Sequence, residues 1–184
     1  MYETVWLGRG GQGAFTAARL LGIAAMLSDK QTLVMPAFGP ERRGAPVFAY
    51  TRIDTAKVRD RSAVRRADAA VVLDESLLSQ VSTGFLTPDT LLLIDSGNAV
   101  GASYPVAKVI RFPARRIAHE VLGSEHTNAI LFGALAALTN IVTQQAAEEA
   151  THREFGSGIK GTRNLAAFRR AYTLAAQPEE AGHD

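Results

Sequence analysis

The chain of 184 residues contains no cysteine. It therefore forms no disulfide, offers no thiolate nucleophile and cannot hold an iron–sulfur cluster through its own side chains. Its four histidines also lack the spacing that would place two metal ligands on one face of a helix. We expect no metal site in this chain, and the sequence indicates no catalytic residue.

A leader peptide and a membrane-spanning segment are not apparent. The first three residues contain no basic region leading into an apolar run, so we expect no secretory signal and a cytoplasmic location. The most apolar stretch, residues 129–142, falls short of the ~20 residues that span a bilayer. We interpret it as a buried helix and expect no membrane association.

The chain as a whole has no large excess of positive or negative charge, since its formal net charge is +2. Residues 39–66 nevertheless contain eight basic and three acidic side chains, a local charge of +5. Such a limited basic region suits a phosphorylated small ligand or an acidic partner better than nucleic acid, which we do not expect as a partner. For residues 57–66, a solvated charged surface explains the pattern equally well.

The pattern of apolar runs predicts an α/β domain. Strands are predicted at residues 4–7, 32–35, 47–53, 69–73, 91–94 and 106–112, and helices at residues 14–27, 115–122, 128–147 and 165–175. The second strand should stop at Pro36, and the segment 156–164 should separate the last two helices. We therefore predict one Rossmann-like, three-layer domain spanning residues 1–184, with a mostly parallel sheet, a helical C-terminal third and a frayed tail at residues 176–184.

Two carboxylates lie at the ends of predicted strands. Asp74 and Asp95 each come directly after an apolar run. Ligands bind at strand ends in α/β sheets, so a ligand contact is one interpretation. A cap of the following turn or helix is the other, and it is the one we favour.

The sequence GRGGQG at residues 8–13 lies between the first strand and the first helix. Gly8, Gly10 and Gly13 match the G-x-G-x-x-G pattern, in which glycines allow backbone N–H groups to approach a phosphate at a helix N-terminus. A tight turn that only packs the strand against the helix has the same spacing. The end of the second strand has no Asp or Glu to bind a ribose hydroxyl, which argues against NAD or FAD.

Two other nucleotide motifs are missing. Gly13 is not followed by Lys and then Ser or Thr, so the loop is not a P-loop. The sequence also has no Asp-Gly dipeptide, and it therefore lacks the GDG motif that opens a thiamine-diphosphate magnesium site.

A second loop, GPERRGAP at residues 39–46, contains Arg42 and Arg43, whose guanidinium groups suit phosphate or carboxylate. If the strands before the two loops are neighbours, both loops could converge on one anionic ligand. An ion pair of Arg43 with Glu41, or with a carboxylate of a partner subunit, is the alternative. Asn128 opens the apolar helix, where we expect it to act as a cap, with a ligand contact as the alternative.

The stretches GRGGQG (8–13), FGPERRGAPV (38–47) and TNAILFGAL (127–135) together resemble the γ subunit of the 2-oxoacid:ferredoxin (acceptor) oxidoreductases. The resemblance covers nearly the whole chain, and the GPERRG loop paired with GGQG is its most specific part. Ala45 is a departure, because many relatives have a glycine there and alanine adopts fewer backbone conformations.

The resemblance implies a heteromeric enzyme that decarboxylates a 2-oxoacid oxidatively and forms acyl-coenzyme A. Thiamine diphosphate, magnesium and iron–sulfur clusters would be held by partner subunits of α, β and δ type, and electrons would pass to ferredoxin, flavodoxin or NAD. The γ subunit, inactive alone, would contact coenzyme A and its partners. The candidate coenzyme A-binding residues are Gly8, Gly10, Gly11, Gln12, Gly13, Arg42, Arg43 and Asn128.

Coenzyme A carries a pyrophosphate and a 3′-phosphate. The glycine loop could bind one of them and Arg42 or Arg43 the other. Two other functions are open at this stage. One is a purely structural scaffold subunit whose loops bind partners and no nucleotide, and the other is a stand-alone NAD-linked oxidoreductase, which the missing acid disfavours.

Overall fold

The computed structural model describes residues 1–37, 44–80, 83–96 and 104–177, so Arg42, Arg43 and the tail from residue 178 lie outside the described residues. The strands are β1 (Tyr2–Arg9), β2 (Gln31–Ala37), β3 (Pro46–Asp54), β4 (Ala69–Val72), β5 (Leu91–Asp95) and β6 (Lys108–Phe112). The helices are α1 (Ala14–Leu27), α2 (Ala114–Ile117), α3 (Asn128–Thr139), α4 (Gln144–Phe155) and α5 (Ile159–Ala176). A 3-10 helix spans Glu75–Ser79, and a π-helical turn at Ala118–Leu122 continues α2. Within the described ranges, no helix is long and apolar enough to cross a membrane.

The strands form one six-stranded sheet in the order β2-β3-β1-β4-β5-β6. β1, β4, β5 and β6 are parallel, whereas β3 runs antiparallel to both of its neighbours, β1 and β2. The predicted α/β class and mostly parallel sheet are therefore confirmed. The first residue of β3, Pro46, pairs with the last residue of β1, Arg9. This register places the end of the second loop beside the start of the glycine turn.

The apolar residues of β1 alternate between two cores. Val5 and Leu7 face one core and Trp6 the other, and all three side chains are fully buried. The Trp6 indole N–H donates to Thr51 Oγ1 at 3.1 Å, and the Thr51 hydroxyl donates to the Ala18 carbonyl of α1 at 3.0 Å. The first strand is therefore buried on both faces, and the hydrogen bonds through Thr51 connect the sheet to the helical layer.

The opposite face of the sheet is covered by irregular segments and the 3-10 helix. The buried apolar residues of that layer are Val64, Ala67, Leu77, Leu78, Phe85 and Leu86. The buried Arg52 side chain donates from Nε to Glu3 Oε1 at 2.6 Å and from Nη1 to the carbonyls of Asp60 and Ser62 at 2.9 and 2.8 Å. One guanidinium therefore holds the segment after β3 against the sheet.

The prediction that the second strand stops at Pro36 is wrong. β2 continues to Ala37, and Pro36 pairs with Ala49 of β3. β2 is the outer strand of the sheet. Proline is tolerated in an edge strand, where its nitrogen can face away from the neighbouring strand.

The single helix predicted for residues 128–147 is also wrong, because the structure has two helices there. α3 ends at Thr139, and Asn140 follows in a left-handed conformation with φ 50°. α4 begins directly after Thr143, whose Oγ1 accepts a hydrogen bond from the Ala146 N–H at 3.2 Å. Asparagine is favoured at the position after a helix, and threonine is favoured at the position before one. These capping preferences outweigh the helical periodicity of the stretch.

The predicted break at residues 156–164 is shorter than expected, because α5 begins at Ile159. Gly161 permits this early start, since a Cβ at that position would overlap the Gly156 carbonyl oxygen. Gly156 has φ 77°, a conformation that other residues rarely adopt. The helical C-terminal third is confirmed, and α5 is longer than predicted.

α3 and α5 approach each other closely at Gly133. A Cβ there would lie 2.7 Å from the backbone carbonyl oxygen of Phe168. The ring of Phe132 lies 5.5 Å from the ring of Phe168, centroid to centroid. The missing side chain of Gly133 therefore allows the two helices to pack with their backbones in contact.

Gly133→Ala should destabilise the fold. The new methyl group would meet a backbone oxygen that moves only if α5 moves, and over-packing of this kind costs about 1 to 3 kcal/mol in the free energy of unfolding. Urea denaturation of the isolated chain measures this loss. Gly158→Ala is the control, because a Cβ there meets nothing within 4 Å, and its effect should stay below about 1 kcal/mol. Equal effects of the two substitutions would contradict the close approach.

Candidate functional site

The glycine turn needs glycine at two positions because of its backbone conformation. The Gln12 N–H donates to the Arg9 carbonyl at 2.9 Å and closes the turn. Gly11 has φ 95° and Gly13 has φ 83°, values that L-residues rarely adopt. Gly13 immediately precedes α1. The N–H groups of Gly11 and Gly13 donate no hydrogen bond to the described part of the chain, so both are available to an acceptor from outside.

The Gln12 side chain is used inside the turn. Its Oε1 accepts a hydrogen bond from the Arg9 N–H at 2.7 Å, and its Nε2 lies 3.4 Å from Asp74 Oδ2. Gly8 makes room for this amide, because a Cβ at Gly8 would lie 3.3 Å from Gln12 Oε1. The structure thus places Gln12 and Gly8 as residues that shape the turn.

Arg9 connects the glycine turn with two other segments. Its Nε donates to Asp74 Oδ2 at 2.8 Å, its Nη1 to the Gly44 carbonyl at 3.0 Å and its Nη2 to Ser76 Oγ at 2.7 Å. The Gly10 N–H also donates to the Ala45 carbonyl at 3.0 Å. The end of the second loop therefore contacts the glycine turn, because β3 pairs with β1.

Asp74 has the capping role that the sequence favoured, because its Oδ1 accepts from the Ser76 N–H at 3.1 Å at the start of the 3-10 helix. Asp95 Oδ1 instead makes a long-range contact: it accepts from the Arg115 N–H at 3.0 Å in the first turn of α2, whose N-cap position is occupied by Pro113. Burial raises the pKa of Asp95 above its ordinary value. Burial also acts to raise the pKa of Asp74, but the hydrogen bonds from Ser76 and Arg9 outweigh it and hold that pKa below its ordinary value.

The expectation that Asn128 caps α3 is wrong. Asn128 is the first residue of the helix, and Thr127 occupies the capping position without a side-chain hydrogen bond. Asn128 Oδ1 accepts from the Ala129 N–H at 2.8 Å. Its Nδ2 lies 2.5 Å from the position that a Cβ would occupy at Gly13. The amide therefore packs against the glycine turn, which places the start of α3 beside the start of α1.

A cleft of about 490 Å³ opens where the glycine turn meets the starts of α3 and α5. Of the candidate residues, Gly11, Gly13 and Asn128 lie in its wall, whereas Gly8, Gly10 and Gln12 do not line it. Arg42 and Arg43 lie outside the described residues. The structure thus brings together residues that are more than a hundred positions apart in the sequence.

Sequence reasoning missed the basic side of this cleft. Lys160 and Arg163 line it from the first turns of α5. They belong to the segment GSGIKGTRN, which we interpreted only as a break between helices. Its three glycines and two cations were a signal of the same kind as the first two loops. In the described ranges, no group of three or more His, Asp or Glu side chains is arranged to hold a metal ion.

Comparisons with known proteins agree with this geometry. The sequence profile of the pyruvate ferredoxin/flavodoxin oxidoreductase family matches residues 3–174. The chain is 39% identical over 180 residues to the common γ subunit of the pyruvate/ketoisovalerate oxidoreductases of Pyrococcus furiosus, which covers 94% of this chain and 96% of that protein. The fold matches the crystal structure of the pyruvate oxidoreductase subunit PORC of Thermotoga maritima with a TM-score of 0.79 and 30% identity, over 94% of this chain and 95% of that one.

A larger protein has the same fold. The chain matches the 2-oxoglutarate:ferredoxin oxidoreductase of Magnetococcus marinus with a TM-score of 0.78 and 19% identity, over 98% of this chain and 32% of that one. That structure contains 2-oxoglutarate, coenzyme A and succinyl-CoA. At this level of identity the likeness concerns the fold alone.

The chain therefore belongs to the pyruvate ferredoxin/flavodoxin oxidoreductase family. Within that family it is a γ subunit of a 2-oxoacid:ferredoxin oxidoreductase complex, as the three sequence stretches indicated. A γ subunit implies other subunits, so the chain is one component of an oxidoreductase.

Asp74→Asn should destabilise the chain at neutral pH and leave it unchanged in acid. Asparagine keeps an oxygen that accepts from the Ser76 N–H, so the substitution mainly removes the charge beside Arg9. Because the folded-state pKa of Asp74 is lowered, the stabilisation is present above the ordinary Asp pKa of about 3.9 and is lost as the pH falls through the lower folded value. We expect a difference of about 1 kcal/mol near neutral pH, reduced by partial exposure of the pair.

Urea denaturation at several pH values between about 7 and 3 measures this difference. Asp89→Asn is the control, because Asp89 is an exposed carboxylate with no salt bridge to the described residues. A loss for Asp74→Asn that stays constant over this pH range would contradict a stabilising role of the charge.

Proposed function

We propose that this γ subunit binds coenzyme A at the cleft beside the glycine turn and joins the catalytic subunits of a complex that converts a 2-oxoacid to acyl-coenzyme A by oxidative decarboxylation. The observation that carries the proposal is the pair of N–H groups at Gly11 and Gly13, which donate no hydrogen bond to the described residues and lie in the wall of the cleft at the start of α1. We also propose that the chain is inactive alone and that the complex is cytoplasmic.

The glycine turn suits the pyrophosphate of coenzyme A. Backbone N–H groups at a helix N-terminus bind phosphate oxygens, and the helix dipole favours negative charge there. The first turn of α1 contains no acidic residue that would oppose an anion. Asn128 supplies a further donor from the start of α3. Arg42 and Arg43 directly precede Gly44 and Ala45 in the sequence, and the carbonyls of those two residues accept hydrogen bonds from Arg9 and Gly10. The two arginines are candidates for a further phosphate contact.

The chemistry of the reaction belongs to the partners. Thiamine diphosphate, magnesium and iron–sulfur clusters, held by subunits of α, β and δ type, would supply decarboxylation and electron transfer to ferredoxin, flavodoxin or NAD. The absence of cysteine from this chain fits that division, because iron–sulfur clusters are held by thiolates. The role of the residues described here is to bind and orient the acyl acceptor. The Magnetococcus enzyme, which shares the fold and contains coenzyme A, supports the proposal.

The NAD-linked alternative is disfavoured by the order of the strands. In a dinucleotide-binding fold the second strand lies next to the first, and its terminal acid binds the ribose. Here β3 separates β1 from β2, and β2 ends in Met35, Pro36 and Ala37, none of which is acidic.

A scaffold without a ligand is the second candidate function. The exposed apolar side chains of α1, Phe15 and Met26, favour a contact with another subunit. Such a contact is compatible with coenzyme A binding. The two candidate functions therefore differ only in whether the cleft binds coenzyme A.

Gly13→Ala in the assembled complex should weaken coenzyme A binding about tenfold or more. An L-residue at φ 83° is strained by about 1 to 2 kcal/mol, and the new Cβ would displace the Asn128 amide. A loss of 1.4 kcal/mol corresponds to about a factor of ten in the dissociation constant. Isothermal titration calorimetry with coenzyme A measures the change, and Gly10→Ala, Arg42→Ala and Arg43→Ala extend the test along both loops.

Gly22→Ala is the matched control. It also introduces a methyl group into α1, where the Cβ would overlap Val34 of β2, remote from the turn. It should reduce stability and leave coenzyme A affinity unchanged. If the loop variants keep their coenzyme A affinity while subunit assembly weakens, the ligand role is wrong and the scaffold function is favoured.

A further inference from the structure

The basic residues of the helices are almost all paired with carboxylates. The five helices carry eight lysines and arginines, and six of these form salt bridges with the described residues. The six are Arg19, Arg115, Arg116, Arg153, Arg169 and Arg170. The two exceptions, Lys160 and Arg163, both line the cleft beside the glycine turn. The charges that the helices leave uncompensated are therefore concentrated at one place.

Lys160 and Arg163 are three residues apart in α5, so they lie on the same side of the helix. The Lys160 Nζ is 5.8 Å from the centre of the Phe155 ring, which also lines the cleft. Gly133 allows α5 to pack closely on α3. The two cations line the same cleft as Gly11 and Gly13.

The one carboxylate in the described wall of the cleft does not neutralise them. Glu154 Oε2 lies 3.0 Å from Arg19 Nη2, so its charge is compensated by α1. Asn128 adds a polar donor to the same wall. The residue is 7% exposed, and its Nδ2 donates no hydrogen bond to the described residues.

The two kinds of donor match two kinds of phosphate. Each phosphate of a pyrophosphate carries about one charge and suits the backbone N–H groups of the turn. A phosphate monoester carries about −1.5 to −2 charges near pH 7 and suits a pair of uncompensated cations. A cleft of about 490 Å³ is of the size that holds the nucleotide part of such a ligand.

We propose that Lys160 and Arg163 bind the 3′-phosphate of coenzyme A and are the residues by which this subunit distinguishes coenzyme A from 3′-dephospho-coenzyme A. The inference rests on the proposed function, because it assumes that the pyrophosphate lies at the glycine turn. It adds a contact from α5 to those proposed for the glycine turn, Arg42 and Arg43.

The double variant Lys160→Ala/Arg163→Ala tests the assignment in the assembled complex. Calorimetric titration with coenzyme A and with 3′-dephospho-coenzyme A measures binding without turnover. We expect the variant to bind coenzyme A about tenfold or more weakly and dephospho-coenzyme A within about twofold of wild type, since charge-assisted hydrogen bonds to a monoester are lost only in the first case. The salt dependence of coenzyme A binding should also become weaker.

Arg65→Ala/Arg66→Ala is the matched control, because it removes two exposed arginines that have no salt bridge to the described residues and do not line this cleft. It should leave both affinities unchanged. Gly13→Ala, by contrast, should weaken both ligands, because both contain the pyrophosphate.

The outcomes separate the inference from the function on which it rests. An equal loss for both ligands in Lys160→Ala/Arg163→Ala, or no loss for either while Gly13→Ala loses both, overturns the assignment of the 3′-phosphate and leaves coenzyme A binding in place. If Gly13→Ala leaves both affinities unchanged, or the wild-type complex binds neither ligand, the proposed function fails together with the inference.

Discussion

The Arg9 guanidinium is the group on which the geometry of the site depends. It is the last residue of β1, and it binds the Asp74 carboxylate, the Ser76 hydroxyl and the Gly44 carbonyl at once. These partners belong to segments that share no strand pairing with the glycine turn itself. Because the fork of a guanidinium presents its donors in fixed directions, two segments are held at set positions beside the glycine turn. A lysine would supply the charge without this geometry.

Much of this site could be predicted from local sequence. GRGGQG indicated a strand-to-helix turn, and α1 has the predicted bounds of residues 14–27 because glycines end the preceding strand. Asp74 was recognised as a cap, since a short polar side chain after a strand satisfies the next free N–H groups. These predictions succeeded because each depends on a few neighbouring residues.

Other features depend on partners that are distant in the chain. Pro36 could remain in β2 only because that strand is at the edge of the sheet, which the sequence of the strand does not reveal. The position of Asn128 against Gly13 depends on the packing of α3 on α1. Lys160 and Arg163 become part of the site because α5 packs on α3, and in the sequence five of the six strands lie between them and the glycine turn. The salt bridges of the other helical arginines, which make these two exceptional, are also visible only after folding.

The contact between Gly133 and the Phe168 carbonyl lies in the core but close to two helix starts that line the cleft. Gly133 is five residues from Asn128 in α3, and Phe168 is five residues from Arg163 in α5, about 7 Å along each helix axis. The spacing of these two helices therefore depends on a contact between Gly133 and Phe168, neither of which lines the cleft. A mutational scan that reads only binding would report Gly133 as a ligand contact, although its effect would be transmitted by the spacing of two helices. In this subunit the packing of α5 on α3 therefore positions residues of the cleft that lie more than a turn away from the contact itself.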